Sequence, residues 1–187
     1  MDVENYTSNY VNDDFENRFQ VVHRRKKVLE ILAEFPHKHI LEIGCGMDSI
    51  ANYLDDFDAC TVVEPSEKFA EQAKKTLGAT GKVEVIQDFF ENQIDALKSR
   101  KFDFILLSSL LHEIENPEMI LGNMAELADN NTTIHINVPN AKSFHRVLAV
   151  ESGLISTVQE KSEKDKAYKH QRIFDMDSLR SMVLESV

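Results

Sequence analysis

The chain has 187 residues, 42% of them hydrophobic and 28% charged, and carries a net charge of −11. That composition fits a soluble globular protein with a sizeable core, as one domain or one domain with an appendage, and its acidity argues against a general nucleic-acid binder, because phosphate is repelled by such a surface. Two cysteines, Cys45 and Cys60, are too few for a disulfide framework, no apolar run approaches the ~20 residues of a bilayer span, and the acidic start Met1-Asp2-Val3-Glu4-Asn5 has no signal-peptide pattern, so a cytoplasmic protein is expected.

Residues 1–20 are polar with Tyr6, Tyr10, Phe15 and Phe19 set into them, a pattern that suits an arm or lid with aromatic anchors. Phe19 to Phe35 reads as an amphipathic helix that ends at Pro36. Its basic run, Arg24-Arg25-Lys26-Lys27, is explained more simply by a solvated face than by a phosphate patch. From there strands and helices alternate. Strands are expected at 40–43, 59–64, 83–86, 102–107 and 132–138, and helices at 49–54, 66–77, 91–98 and 117–128. This rhythm predicts an α/β fold, a doubly wound, mainly parallel sheet flanked by helices. The last quarter differs: a helix over 141–150, a polar linker at Lys161–Lys166, and a helix over 176–185 capped by Asp175. It is also less acidic, with 8 Lys/Arg against 7 Asp/Glu in residues 140–187 and 13 against 25 before them. The resulting division is an arm and helix (1–36), an α/β core (37–140) and a helical segment (141–187).

In such a sheet, ligands bind beyond the carboxyl ends of the strands. The first strand ends in Glu42-Ile43-Gly44-Cys45-Gly46-Met47-Asp48, where glycines let a ligand approach the backbone and a helix start offers free N–H groups. The second ends in Glu64, where a carboxylate can accept from both ribose hydroxyls. The third ends in Gln87-Asp88-Phe89, suited to the edge and face of adenine. The fourth ends in Ser108-Ser109-Leu110-Leu111-His112-Glu113, and the fifth carries Asn137 and Asn140. The dinucleotide fingerprint G-x-G-x-x-G fails, because Ser49 stands third after Gly46. An NAD-dependent oxidoreductase is therefore disfavoured. Glu42 ahead of the glycines, with no basic residue in the turn, suits a cationic ligand instead.

Four motifs in order then match one family. Leu41-Glu42-Ile43-Gly44-Cys45-Gly46 resembles motif I of the class I S-adenosylmethionine-dependent methyltransferases, with their Rossmann-like sheet. Val63-Glu64-Pro65-Ser66 resembles their acidic second-strand end, and Phe102–Ile114 their fourth strand and the loop after it. Pro117 starts the next helix, as it often does in that family. The resemblance spans about residues 22–140. It implies S-adenosylmethionine as cofactor, with Glu42, Gly44, Cys45, Gly46 and Ser108 on the methionine side, Glu64 and Pro65 at the ribose, and Asp88 and Phe89 at the adenine. The sequence departs from the family twice. Asp48 stands where a third glycine is common, although aspartate tolerates unusual backbone angles. The usual closing pair of antiparallel strands is also missing after the last helix, so the chain is expected to be C-terminally incomplete, with a partner-completed or shorter sheet as the alternative.

The acceptor side is expected further on. Val138-Pro139-Asn140-Ala141-Lys142-Ser143-Phe144-His145-Arg146-Val147-Leu148-Ala149 is similar to a segment of a bacterial small-molecule branch of that family. Tyr168-Lys169-His170-Gln171-Arg172-Ile173-Phe174 resembles the run that precedes the branch's final helix. His145, His170 and His112 are the candidates for a catalytic base, and Asn140, Arg146, Arg172 and Tyr10 for acceptor contacts. No metal is expected, since His112-Glu113 is the lone adjacent pair near the active end. The reading is methyl transfer to oxygen or nitrogen of a small molecule or peptide, with no nucleic-acid or membrane partner and self-association left open. The alternatives are methylation of a macromolecule and a non-catalytic S-adenosylmethionine-binding subunit.

Overall fold

Residues 3–12, 19–168 and 170–186 are described by a computed structural model. Five short apolar runs form the sheet: β1 (His39–Ile43), β2 (Ala59–Val63), β3 (Val83–Ile86), β4 (Phe104–Ser108) and β5 (Thr133–Asn137). All are parallel, in the order β3-β2-β1-β4-β5. Sequence alternation within the strands sorts side chains onto two faces. Leu41, Ile43, Ile105 and Leu107 join one core with α4 (Ile94–Leu97) and α5 (Pro117–Leu127). Ile40, Val62, Phe104 and Leu106 join the other with α2 (Val21–Leu32) and α3 (Glu67–Leu77). The winding direction reverses between β1 and β4, so the crevice at the switch point opens beyond Ile43 and Ser108.

Several expected helices are shorter, for local reasons. The stretch after the glycines is a single 3₁₀ turn, Ile50–Tyr53. Residues 91–98 split into a 3₁₀ turn at Phe90–Asn92 and the one-turn α4, because the Asn92 and Gln93 side chains donate back to Asp88 at 2.8 and 2.6 Å. At the other end of the chain, α6 (Phe144–Glu151) starts late, since Ala141 N–H is committed to Phe174 O at 2.7 Å. The expected polar linker holds a helix, α7 (Glu163–Ala167), nucleated by a capping box. Ser162 Oγ accepts from Asp165 N at 3.1 Å and Asp165 Oδ2 accepts from Ser162 N at 2.7 Å. As expected, Asp175 accepts from Ser178 N at 2.9 Å at the start of α8 (Met176–Ser186), which packs against α5. Among the described residues no antiparallel strand follows β5.

The arm contains α1 (Val3–Asn12). Phe15 and Lys169, and the side chain of Tyr6, lie outside what is described.

Candidate active site

Two cavities meet at the end of β1. The larger, about 500 Å³, is bounded by Tyr10, Arg24, Glu42, Gly46 and Ser108. The smaller, about 220 Å³, lies between Glu64, Pro65, Phe89 and Asn116. Gly44 and Leu110 line both. Gly44 has φ +72°, and a Cβ built there would fall 2.7 Å from Leu110 Cδ2. The glycine is therefore required by its backbone, and a Cβ would also make the end of the Leu110 side chain move. Gly46, at φ +57°, has nothing within 4 Å of an added Cβ. It needs glycine for conformation alone.

Acids organise this turn. Glu42 is buried on β1; its Oε1 accepts from Ile50 N at 3.0 Å and its Oε2 from Ser49 Oγ at 2.5 Å. Ser49 Oγ in turn accepts from Ala51 N at 3.2 Å. The Ile50 and Ala51 N–H groups, expected to greet a ligand at this helix start, are thus taken by Glu42 and Ser49. Burial pushes the Glu42 carboxyl up to about 7, against the lowering pull of the Ile50 amide and the Ser49 hydroxyl. Glu64 is buried too. It accepts from Gly46 N at 3.0 Å and Ser66 N at 2.8 Å, and burial raises its pKa.

Asp48 needs no unusual backbone, correcting the reason offered for it. Among the described residues Ser109, φ 56°, is the non-glycine residue with positive φ. Asp48 instead works as a fastener, receiving Arg25 Nη1 at 2.7 Å, Asn52 Nδ2 at 2.8 Å and Tyr53 OH at 2.5 Å. Arg25 also lies 3.9 Å over the Tyr53 ring. The basic run is therefore not merely solvated, since Arg24 and Arg25 line the larger cavity. Ser109 was missed by sequence reading. It holds a conformation costing about 1–2 kcal/mol for an L-residue at the mouth of the crevice, with its N–H on Asn137 O at 2.9 Å. Ser108 Oγ accepts from Asn137 Nδ2 at 2.9 Å, and burial pushes the Cys45 thiol up.

Other expected residues sit elsewhere. Asp88 is not on the cavity wall; besides the two side-chain amides it accepts from Phe89 N at 2.7 Å, and those donors hold its pKa low. Phe89 does line the smaller cavity. Asn140 is exposed and accepts from Lys142 N at 2.9 Å. Arg146 is spent on its own chain, donating to Val158 O at 3.0 Å, to Glu160 O and to Asp165 at 3.4 Å. Arg172 is paired with Glu118 at 2.6 and 3.2 Å. His145 is exposed on α6, outside both cavities. Asn140, Arg146 and Arg172, expected as acceptor contacts, and His145, expected as a candidate base, thus all lie off the walls of the two cavities. A surface substitution changes free energies by less than about 0.5 kcal/mol. His145→Ala is accordingly expected to leave donor affinity and turnover within about twofold of wild type, as read by calorimetry and product release.

The structure does bring together His112, Glu113, His170 and Tyr10. Tyr10 OH donates to Glu113 Oε1 at 2.6 Å, and the His112 and His170 rings meet edge to face at 4.5 Å. Burial, the neighbouring His170 and Arg24 hold His112 down at about 3, so it is a neutral imidazole. Burial would depress His170 as well, but Glu113 and Asp165 outweigh it and raise its pKa. For Asp165, burial is overcome by the Ser162 hydroxyl and amide and by His170, which hold it at about 2.

A methyltransferase domain model matches residues 16–186. The chain belongs to this family and is a class I, S-adenosylmethionine-dependent methyltransferase. Solved methyltransferases share the fold. The plantazolicin methyltransferase BamL, crystallised with a triazolic desmethyl-plantazolicin analogue and S-adenosylhomocysteine, is 18% identical, with 99% of this chain and 71% of that one covered and a TM-score of 0.72. An S-adenosylmethionine-dependent methyltransferase from Thermotoga maritima is 21% identical over 97% and 79% of the two chains, TM-score 0.64. The N-methyltransferase NodS from Bradyrhizobium japonicum, with S-adenosylhomocysteine, is 13% identical over 97% and 85%, TM-score 0.65. At these identities the likeness is one of fold. A comparison with curated sequences finds no match. Among the described residues of this methyltransferase, no helix is long and apolar enough to cross a membrane.

The acids of the cofactor turn make methyltransferase stability depend on pH. Folded Glu42 titrates at about 7, above its ordinary value of 4.5. The folded chain therefore holds this proton longer than the unfolded chain does. The Glu42 contribution is fullest below about 4.5 and is lost as pH rises through 7. The loss is on the order of 3 kcal/mol. In urea unfolding from pH 5 to 8, wild type should lose up to that much relative to Glu42→Gln. A gap between the two that stays constant with pH would contradict it.

Proposed function

We propose that this methyltransferase transfers a methyl group to oxygen or nitrogen of a small molecule or peptide. The observation that carries the reading is the pair of cavities joined at Gly44, each with a buried carboxylate on its wall. The residues fit the cofactor. Gly44 leaves space that a Cβ would fill, Glu64 is placed to accept from ribose hydroxyls, and Phe89 offers a ring to the adenine. Glu42 and Ser108 border the methionine side. When bound, S-adenosylmethionine supplies a methyl group already activated on sulfonium.

What the protein adds is chiefly placement of the acceptor on the Tyr10 side of the larger cavity, a proximity effect. His112, neutral and with little basicity, is unsuited to take a proton. Glu113 accepts from Tyr10 and so fixes the tyrosine hydroxyl on the wall of the larger cavity. The structural neighbours support this reading, because BamL is crystallised with a triazolic desmethyl-plantazolicin analogue and NodS is an N-methyltransferase. The net charge of −11 supports an acceptor that is not nucleic acid.

The test is calorimetry with S-adenosylmethionine, followed by S-adenosylhomocysteine release with a panel of small amines, phenols and short peptides. Micromolar-range heat and turnover on at least one acceptor are expected. Heat without turnover on any of them would favour a donor-binding subunit, and no heat at all would sink the reading.

A further inference from the structure

We propose that His112, Glu113 and His170 form a site for a zinc-type divalent metal ion. His112 and Glu113 lie on the turn after β4. His170 lies between α7 and α8, brought over by Gln171 N and Arg172 N, which donate to His112 O at 2.8 and 3.2 Å. One ligand atom from each of the three falls within 4.8 Å of the others, and all three residues are buried.

Spacing is the first argument. Glu113 Oε1 is 3.5 Å from His112 Nε2 and 3.6 Å from His170 Nε2. Both are too long for good hydrogen bonds. They are close to the edge of a tetrahedron around zinc, which with metal–ligand bonds of about 2.0–2.1 Å is roughly 3.3 Å. Two edges of the set thus have nearly the length expected around a common metal centre, and a ligand atom of each residue lies within 4.8 Å of the others.

The second argument is unsatisfied polarity. Glu113 Oε1 accepts from Tyr10, but its other oxygen, Oε2, is buried without a hydrogen-bond partner on a side chain only 2% exposed, as is His112 Nδ1, the ring nitrogen other than the one facing Glu113. A buried carboxylate left in this state is costly unless a cation compensates it. The third argument is the support behind His170. Its Nδ1 donates to Asp165 Oδ1 at 2.8 Å, and Asp165 is itself fixed by Ser162 N and Oγ at 2.7 and 2.6 Å. This carboxylate–histidine arrangement sets the tautomer that turns Nε2 toward Glu113. Asp165 also works against the positive field of Arg24 at His112 and pairs with Arg146 at 3.4 Å.

Two imidazoles and one carboxylate suit zinc or a neighbouring first-row dication better than magnesium or calcium. Three protein ligands leave a fourth position. Tyr10, 2.6 Å from Glu113 Oε1, stands between this centre and the larger cavity that it also lines. An ion here would fix Glu113 and, through it, the Tyr10 hydroxyl on the cavity wall. Metal binding itself does not depend on the proposed acceptor reading.

The experiment uses the whole chain without an affinity tag, stripped with chelator and titrated with zinc chloride. The expected result is one equivalent bound, with visible absorption bands of four-coordinate cobalt when Co²⁺ replaces it. Glu113→Gln and His170→Ala should weaken binding at least 100-fold. Asp165→Asn should weaken it 10- to 100-fold through His170, and His145→Ala should leave it unchanged. Thermal unfolding of each variant separates lost ligation from lost fold, and Glu113→Gln keeps the size of the side chain. No uptake by wild type, or equal uptake by a folded Glu113→Gln variant, overturns the proposal. S-adenosylmethionine binding, titrated in parallel, stands or falls separately.

Discussion

Glu64→Ala should weaken S-adenosylmethionine binding by about two orders of magnitude. The carboxylate lies at the end of β2, buried between Gly44 and Phe89 on the wall of the smaller cavity. Hydrogen bonds to a charged acceptor contribute roughly 1.5–3 kcal/mol each. Losing those to two ribose hydroxyls corresponds to about 3 kcal/mol, or roughly 150-fold in affinity. The substitution also strips acceptors from Gly46 N and Ser66 N, which Glu64 holds at 3.0 and 2.8 Å. A stability loss of about 1–3 kcal/mol is expected alongside. Glu64→Gln keeps the shape and one acceptor oxygen, and should fall between wild type and alanine. Calorimetric titration measures both, with His145→Ala as the unaffected comparison. If Glu64→Ala bound within threefold of wild type, the ribose would lie elsewhere.

The strands were legible because each is an apolar run short enough to cross a sheet and too short for a helix, and burial on both faces leaves few polar residues to obscure it. Glu42, the two glycines and Glu64 stood out for a related reason, as charged or flexible residues at the end of such a run, and they line the two cavities. The short helices were overextended because propensity does not show that the Glu42 carboxylate takes up the Ile50 amide or that Asn92 and Gln93 turn back to Asp88. His145 and Arg146 adjoin on one helix, and no local pattern says which of them turns inward. Arg146 finds its partners in the loop before and within α7, and Arg172 finds Glu118 on α5. Those encounters are tertiary. So is the approach of His170 to His112 and Glu113, set by backbone bonds at Gln171 and Arg172. The metal-type cluster was invisible in sequence for that reason, although both of its halves had been singled out.

Gly44→Ala and Gly46→Ala should separate space from conformation in the same turn. Both positions hold positive φ, +72° and +57°, so each alanine meets a strain of about 1–2 kcal/mol. Similar losses of unfolding free energy are expected from the two. Their effects on cofactor binding should differ. At Gly46 an added methyl meets nothing within 4 Å, while at Gly44 it would press on Leu110 Cδ2 at 2.7 Å. Leu110 borders both cavities, so any retreat it makes narrows the passage the cofactor must fill. Gly44→Ala should therefore raise the dissociation constant for S-adenosylmethionine by roughly 10- to 100-fold, about 1.4–2.7 kcal/mol, and Gly46→Ala by much less. Adding Leu110→Ala to Gly44→Ala distinguishes the causes. If affinity returns while stability stays low, displaced Leu110 was the obstacle. If it does not, the methyl intrudes on the cofactor itself and the methionine side lies directly against Gly44. Equal binding by wild type and Gly44→Ala would remove the glycine turn from the cofactor site.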